Sequence, residues 1–251
     1  MISSDQPTIF DPQKVRVVIS SSSDGNTKPE WGPLKDTQQV IGKLAEAAEL
    51  EAAHVVVMDV GANQDAWDEI ADVTSGEGRG VSDPADRIPA DALVTNVPNV
   101  GLLLPVADCN AVAIHDPVHN VLAVVHLGWQ STAAELATKV VQYLQGKFHS
   151  SAPDLRVYLS PAIKAESYVF DKVSQADDSA WKDFLHKTDK GYGVDLPGYN
   201  RQRFIEAGVQ PENIEVSPVN TATSDNYYSH YRAVRHGEPE GRFALLARLK
   251  G

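Results

Sequence analysis

The 251-residue sequence has a single cysteine, Cys109, so no disulfide can form within the chain. It also lacks the run of about eighteen apolar residues that a membrane helix needs, and its N-terminus lacks the charged and apolar pattern of a secretory signal. A lone thiol is typical of a protein in a reducing compartment. We therefore expect a soluble, cytoplasmic protein in which Cys109 is a structural thiol, a metal ligand or a nucleophile.

Positive charge is scarce, because 22 Lys and Arg face 34 Asp and Glu, for a net charge of −12. Such a field repels nucleic-acid phosphates and anionic membrane surfaces, so neither is expected as a partner. A small anionic ligand in a local basic pocket remains compatible with it. The length fits one domain over residues 1–251, as a monomer or small homo-oligomer.

Runs of β-branched residues bounded by Gly, Pro, Asn or Asp predict strands, and apolar residues at helical spacing predict helices. Several strands are apolar throughout, which favours sheets covered on both faces. The order does not alternate regularly, so we expect an α/β protein with mixed sheets. The predicted strands are 15–20, 54–60, 92–97, 102–107, 111–114, 121–126, 155–159, 214–217 and 243–249, and the helices are 36–50, 133–147, 178–186 and 197–207.

The most informative segment is a predicted hairpin around Asp116-Pro117-Val118, a sequence that suits a type I turn. A turn centred on Pro117 and Val118 places Cys109 directly opposite His126. Opposed residues have Cβ atoms roughly 5 Å apart, close enough to share a metal ion or a proton. His115 and His119 fall at the turn, on the order of 20 Å away along the strand, and are interpreted as solvated histidines.

A glycine turn follows His126, in Leu127-Gly128-Trp129, and a helix is expected after it because Thr132 to Glu135 forms a capping box. A strand, a glycine turn and a helix N-terminus form an arrangement that binds anions, which predicts a phosphate site. The alternative is structural: Gly128 turns the chain, Trp129 fills the core and Cys109 packs as a small apolar side chain. The sequence leaves both interpretations open.

These motifs resemble, in order and spacing, those of the laccase-domain family, also described as multicopper polyphenol oxidoreductases, peptidoglycan-editing factors and purine nucleoside phosphorylases. The resemblance covers about residues 91–249. It implies a layered α/β/β/α sandwich with mixed sheets, shared in outline with the cytotoxic necrotizing factor deamidase domain. The matching segments are Asp91 to Thr95, Ala107-Asp108-Cys109, Asp116, Val125 to Trp129, Ser160 to Ile163 with Tyr168, Val194-Asp195-Leu196, Ala207-Gly208-Val209, Asn220-Thr221, Tyr228 to Arg232, and Gly241-Arg242.

The resemblance implies a zinc ion held by His, Cys and His, with copper a less favoured metal. By this resemblance Cys109 and His126 are two of the three ligands. The third, upstream ligand is assigned to His54, the only histidine before Asp91, although the family's QxHG pattern is absent around it. The implied reaction is phosphorolysis of adenosine or inosine, with adenosine deamination as a side activity. The candidate catalytic residues are Cys109, His126 and Asp108, and the candidate substrate and phosphate residues are Gly128, Trp129, Arg232 and Arg242.

Three other functions stay open or are disfavoured. Cys109 and His126 would serve equally well in a metal-free hydrolase or deamidase. A catalytically silent binding protein is the second alternative, because Gln130 stands where the family has Arg, and Glu166 where it often has a second Cys. Multicopper polyphenol oxidation is disfavoured, since it needs about ten clustered histidines and this chain has eight scattered ones.

Overall fold

Strands and helices alternate irregularly along residues 6–61 and 65–251, which the computed structural model describes. The α-helices are α1 Leu34–Ala47, α2 Trp129–Ala133, α3 Leu136–Phe148, α4 Leu196–Glu206 and α5 His230–His236. The strands are β1 Val15–Ile19, β2 Val55–Asp59, β3 Ile70–Asp72, β4 Ile88–Pro89, β5 Ala92–Thr95, β6 Gly101–Val106, β7 Asn110–Asp116, β8 Val121–Leu127, β9 Arg156–Leu159, β10 Val169–Phe170, β11 Leu185–Thr188, β12 Gly191–Val194, β13 Ile214–Val216 and β14 Phe243–Leu249.

Two mixed sheets pack face to face at the centre of the molecule. One has the strand order β1-β14-β6-β2-β4 and the other β13-β9-β7-β8-β5-β3. In β6, Leu102 and Leu104 enter the core between the sheets, whereas Leu103 faces outward into a second cluster. Every side chain of β6, β7 and β8 is buried, which explains why these strands are apolar throughout instead of alternating.

Helices cover the outer face of each sheet. Val40, Ile41 and Leu44 of α1 pack on the first sheet, and α3 and α4 pack on the second. The α/β/β/α order of layers predicted above is therefore confirmed. A small third sheet has the strand order β10-β12-β11, and Phe170 of β10 packs against Trp129 of α2. Over the described residues, no helix combines the length and the apolar character needed to cross a membrane.

The β7–β8 hairpin has a different register from the one predicted. Ala111 pairs with His126 and Asp116 with Val121, so the loop contains four residues, and the prediction that Cys109 lies directly opposite His126 is wrong. The loop is longer because the Asp116 carboxylate accepts hydrogen bonds from the backbone N–H groups of Val118 and His119. The error is two residues, and side chains alternate faces with a period of two, so Cys109 stays on the predicted face.

The turn histidines differ from each other. His119 is partly exposed and its Nδ1 lies 2.9 Å from the Asp116 carboxylate. His115 is only 1% exposed, so the prediction that it is solvated is wrong. Burial outweighs the attraction of Asp116 and lowers the His115 pKa from 6.5 to about 4. His115 is therefore a neutral core residue at pH 7.

Two helix predictions also need correction. The helix expected from residue 133 is interrupted at Glu135, whose left-handed φ of 60° separates α2 from α3, and Thr132 lies within α2 instead of capping a helix. Residues 178–186 do not form an α-helix: a 3-10 turn at Lys182–Phe184 leads into β11. There Trp181 stacks on Tyr199 of α4 at 3.9 Å, so aromatic packing against α4 fixes this segment.

Candidate active site

Three buried or half-buried side chains line up where β5, β6 and β8 meet. Asp91 precedes β5, Cys109 follows β6, and His126 lies near the end of β8. The Nδ1 of His126 lies 3.6 Å from Oδ1 of Asp91, and neither atom has another partner among the described residues. The Cys109 thiol is within hydrogen-bonding reach of the same imidazole. The order of groups is thus carboxylate, imidazole, thiol.

Gly128 makes the close approach of Cys109 and His126 sterically possible. A Cβ atom at position 128 would lie 2.9 Å from Sγ of Cys109 and 3.0 Å from Nε2 of His126. Such distances are shorter than the roughly 3.5 Å at which non-bonded atoms pack well. Gly128 is therefore needed for space, since its φ of −95° is open to any residue.

The charge of His126 depends on its two neighbours. Its burial by itself lowers the pKa, but Asp91 and Cys109 act in the opposite direction and together raise it from 6.5 to about 9. The imidazole is therefore protonated at neutral pH. The site contains a positive charge that Asp91 balances from within the protein.

Asp108 holds the Cys109 segment in place. Its φ is 71°, and its carboxylate accepts hydrogen bonds from the Thr221 hydroxyl at 2.6 Å, the Ser229 hydroxyl at 3.1 Å and the Tyr231 backbone N–H at 2.7 Å. These bonds engage the Asp108 carboxylate away from the imidazole, and Asp91 is the carboxylate beside His126, so the structure does not support the predicted catalytic role of Asp108. Asp91 was visible in the sequence only as the start of a strand motif.

Two cavities of similar size meet at Cys109. One, of about 240 Å³, is lined by the rings of Tyr168, Phe170 and Tyr231, and we call it the aromatic lobe. The other, of about 230 Å³, contains His126 and the basic residues Lys28 and Arg242, and we call it the cationic lobe. Cys109, Ala107 and His230 line both lobes. The two lobes are therefore adjacent, with Cys109 in the wall that they share, and we refer to them together as the cleft.

The predicted substrate residues divide into those inside and those outside this cleft. Arg242 lines the cationic lobe, with its guanidinium 4.0 Å from the Trp31 ring centre. Trp129 packs behind the aromatic lobe, 5.7 Å from Phe170 and 6.2 Å from Tyr168 between ring centres, and supports its wall.

Arg232 lies outside the cleft, so its predicted phosphate-binding role is not supported. Its guanidinium donates to the carbonyl oxygens of Thr221 and Tyr227, at 3.1 and 2.8 Å, and to the carboxylate of Glu238. These bonds fix the loop before α5. The helix-terminus phosphate site is also unsupported, because α2 has only five residues. Lys28, which no motif marked, supplies positive charge instead.

The family described as multi-copper polyphenol oxidoreductase laccase matches residues 35–250. The chain belongs to this family. Among curated relatives, the purine nucleoside phosphorylase YlmD of Bacillus subtilis is 30% identical over 148 residues, 57% of this chain and 53% of the relative. The purine nucleoside phosphorylase slr1573 of Synechocystis is 27% identical over 167 residues, 57% of this chain and 63% of the relative. The chain thus spans between half and two thirds of the length of these relatives.

Solved structures share the fold over nearly the whole chain. The hypothetical protein YfiH of Bacillus licheniformis superposes with a TM-score of 0.83 at 24% identity, covering 97% of this chain and 98% of that one. YlmD of Geobacillus stearothermophilus gives a TM-score of 0.83 at 24% identity, covering 94% and 92%. At this identity the likeness establishes the fold alone.

The residues of this family member do not fit the zinc centre that the resemblance implies. His54 precedes β2, which runs parallel to β6 with Val55 paired to Gly101, whereas Cys109 follows the far end of β6, on the order of 20 Å away. The side chain that follows β2 at the cleft is Val60, which cannot bind a metal. Residues 6–61 and 65–251 contain no group of three His, Cys, Asp or Glu side chains placed to hold one. The prediction that His54 completes the site is therefore wrong.

Proposed function

We propose that this protein is a purine nucleoside phosphorylase, which splits the glycosidic bond of adenosine or inosine with inorganic phosphate. The observation that carries the proposal is the cleft, in which an aromatic lobe and a cationic lobe both border Cys109. A nucleoside and phosphate need these two environments side by side. The names of the curated relatives support the same reaction class.

The purine base is assigned to the aromatic lobe. Tyr168 and Phe170 meet edge to face at 4.6 Å, which leaves ring faces and edges for a flat ligand, and Tyr231 also lines the lobe. Stacking of a base on aromatic rings is worth about 1–3 kcal/mol per base. Burial raises the Tyr168 pKa, so its hydroxyl stays protonated and can hydrogen-bond to a base.

Phosphate is assigned to the cationic lobe. Trp31 orders both basic residues, with the Lys28 ammonium 5.6 Å and the Arg242 guanidinium 4.0 Å from its ring centre. Arg and Lys are the side chains suited to phosphate oxygens, Arg through two parallel hydrogen bonds. The protonated His126 adds a third positive charge in the same lobe. Phosphate held there can attack C1′ of the ribose while the base departs into the aromatic lobe.

The test is a chromatographic assay of adenosine and inosine with and without phosphate. We expect free base and ribose 1-phosphate in equal amounts, and only when phosphate is present. Lys28→Ala and Arg242→Ala should each raise KM for phosphate roughly tenfold to a hundredfold, equivalent to one charged hydrogen bond. Tyr168→Ala should raise KM for the nucleoside instead, and the exposed Lys43→Ala is the matched control.

Several finer features belong to the same proposal. The side chains at the site do not support zinc dependence. They do not support adenosine deamination either, because zinc deaminases use a metal-activated water for that reaction. Inosine formed from adenosine in the assay would support both zinc dependence and deamination. The single thiol supports a cytoplasmic location, and the net charge of −12 supports a protein that binds neither nucleic acid nor membranes. One domain over residues 1–251 stays part of the proposal. Base released equally without phosphate would point to a hydrolase, and no turnover at all to a silent binding protein.

A further inference from the structure

We infer that His230 is the general acid of the proposed phosphorolysis and gives a proton to the purine as the base leaves. This inference rests on the proposed function and names a residue that its chemistry requires. The base departs from C1′ with the electron pair of the broken bond, and a proton placed on the base neutralises the negative charge that develops. Histidine is the side chain that most often makes such a transfer.

His230 lies where that proton is needed. Among the described residues, Ala107, Cys109 and His230 line both lobes. A base in the aromatic lobe and phosphate in the cationic lobe place the bond that breaks beside these three residues. Ala107 has no proton to give, and the Cys109 thiol is hydrogen-bonded to His126, which lines the cationic lobe. His230 is therefore the side chain best placed to reach the base.

Glu240 orients the imidazole of His230. The Nδ1 atom of His230 lies 3.2 and 3.1 Å from the two carboxylate oxygens of Glu240. Burial acts to raise the pKa of Glu240, but the hydrogen bonds from Arg242 and His230 outweigh it and hold that pKa below its usual value. Glu240 is thus a carboxylate at neutral pH and can only accept, so Nδ1 donates to it. Nε2 is the nitrogen that remains for the purine.

Asp108 fixes the backbone on both sides of His230. Its carboxylate accepts hydrogen bonds from the Ser229 hydroxyl at 3.1 Å and from the Tyr231 backbone N–H at 2.7 Å. Since Asp108 directly precedes Cys109, these two bonds tie the start of α5 to the wall that the lobes share. The His230 side chain is 58% exposed, so it can exchange a proton with water after each turnover.

The atoms and charges of the step balance. An oxygen of the phosphate dianion bonds to C1′, the bond between C1′ and N9 breaks, and its electron pair goes to the base. His230 gives the proton on Nε2 to N7, so a neutral purine leaves. The phosphate loses its own proton as it becomes the dianion of ribose 1-phosphate, and water returns that proton to His230.

The test compares inosine with 7-methylinosine in the wild type and in His230→Gln. The methyl group at N7 places a positive charge on the base before the reaction, so this base leaves without a proton from the protein. We expect His230→Gln to lower kcat for inosine by about 10²–10⁴ and kcat for 7-methylinosine by less than about threefold. KM for phosphate should stay unchanged, because Arg242 keeps its contact with Trp31. The exposed His186→Gln, on β11, is the matched control.

A second measurement adds free imidazole to His230→Ala. Because His230 is more than half exposed, imidazole from solution can enter the space that the side chain leaves. We expect it to raise the rate of His230→Ala on inosine with increasing concentration and to leave the wild-type rate unchanged. This measurement decides the matter if the wild type does not use 7-methylinosine.

The outcomes separate the role of His230 from the proposed function. An unchanged kcat for inosine in His230→Gln, or equal losses on the two nucleosides, would overturn the role of His230 and leave the phosphorylase standing. The absence of rescue by imidazole would do the same where inosine is the only substrate. Wild-type protein that splits neither nucleoside with phosphate would overturn the proposed function itself.

Discussion

Replacing Gly128 with Ala tests how closely Cys109 and His126 must approach. The new methyl group would lie 2.9 Å from Sγ and 3.0 Å from Nε2, so both side chains must withdraw. They would have to move by about half an ångström or more to reach normal packing distances near 3.5 Å. Misplacement of reacting groups by about 1 Å can cost on the order of 10²-fold in rate. The fold should survive, because the backbone at φ −95° accepts Ala and overpacking costs roughly 1–3 kcal/mol.

The assay compares kcat for phosphorolysis and the rate of Cys109 alkylation with the melting temperature. We expect both rates to fall by about ten- to a hundredfold while the melting temperature changes little. Gly42→Ala is the control: nothing lies within 4 Å of its added Cβ, and a helical Gly→Ala change should stabilise the fold by about 0.5–1 kcal/mol. A Gly128→Ala protein with rates within about threefold of wild type, under 1 kcal/mol in barrier, would refute the reasoning.

Three further predictions concern the surroundings of the site and the core. The His115 pKa is about 4 in the folded protein and 6.5 in the unfolded chain, so between these values the unfolded chain binds one more proton. The free energy of unfolding should therefore fall by roughly 2–3 kcal/mol as the pH drops from 7 to 4.5. Urea titrations at the two pH values measure this loss, which should be smaller in His115→Gln. Asp108→Asn leaves at least one of three donors unpaired, so we expect a loss of about 1–3 kcal/mol and a lower kcat, whereas an unchanged melting curve would contradict the positioning role. Arg232→Ala should lower stability by about 1.5–3 kcal/mol without raising KM for phosphate in the protein that remains folded, and a selective rise in that KM would place Arg232 in the site after all.

The α/β class with mixed sheets was predictable because strand and helix patterns are local, whereas the layered order came from the resemblance to the family. Runs of β-branched residues predict the buried strands. The family motifs at Cys109 and His126 identify the strand ends that form the candidate site. The hairpin register was missed because the Asp116 carboxylate extends the turn, and that contact depends on a side-chain rotamer. The break at Glu135 was missed for a similar reason, since a hydrogen bond from the Tyr199 hydroxyl to its carboxylate, across to α4, accompanies the left-handed residue.

The partners of the Cys109–His126 pair could not be read from the sequence. Lys28 lies about eighty residues upstream of Cys109, in a segment without a motif, and reaches the cleft only through the pairing of distant strands. His54 looked like a ligand because it was the only upstream histidine, yet the parallel pairing of β2 with β6 places it at the wrong end. Asp91 becomes recognisable only when β5 pairs with β8 and brings its carboxylate to His126.

The most direct test of the proposed site is phosphorolysis of inosine by chelator-treated protein with no metal added. We expect hypoxanthine and ribose 1-phosphate in equal amounts, with a dependence on phosphate concentration that Lys28→Ala and Arg242→Ala both weaken. A rate of base release that does not depend on phosphate concentration would contradict the proposal. Activity that appears only when zinc is restored would contradict it as well.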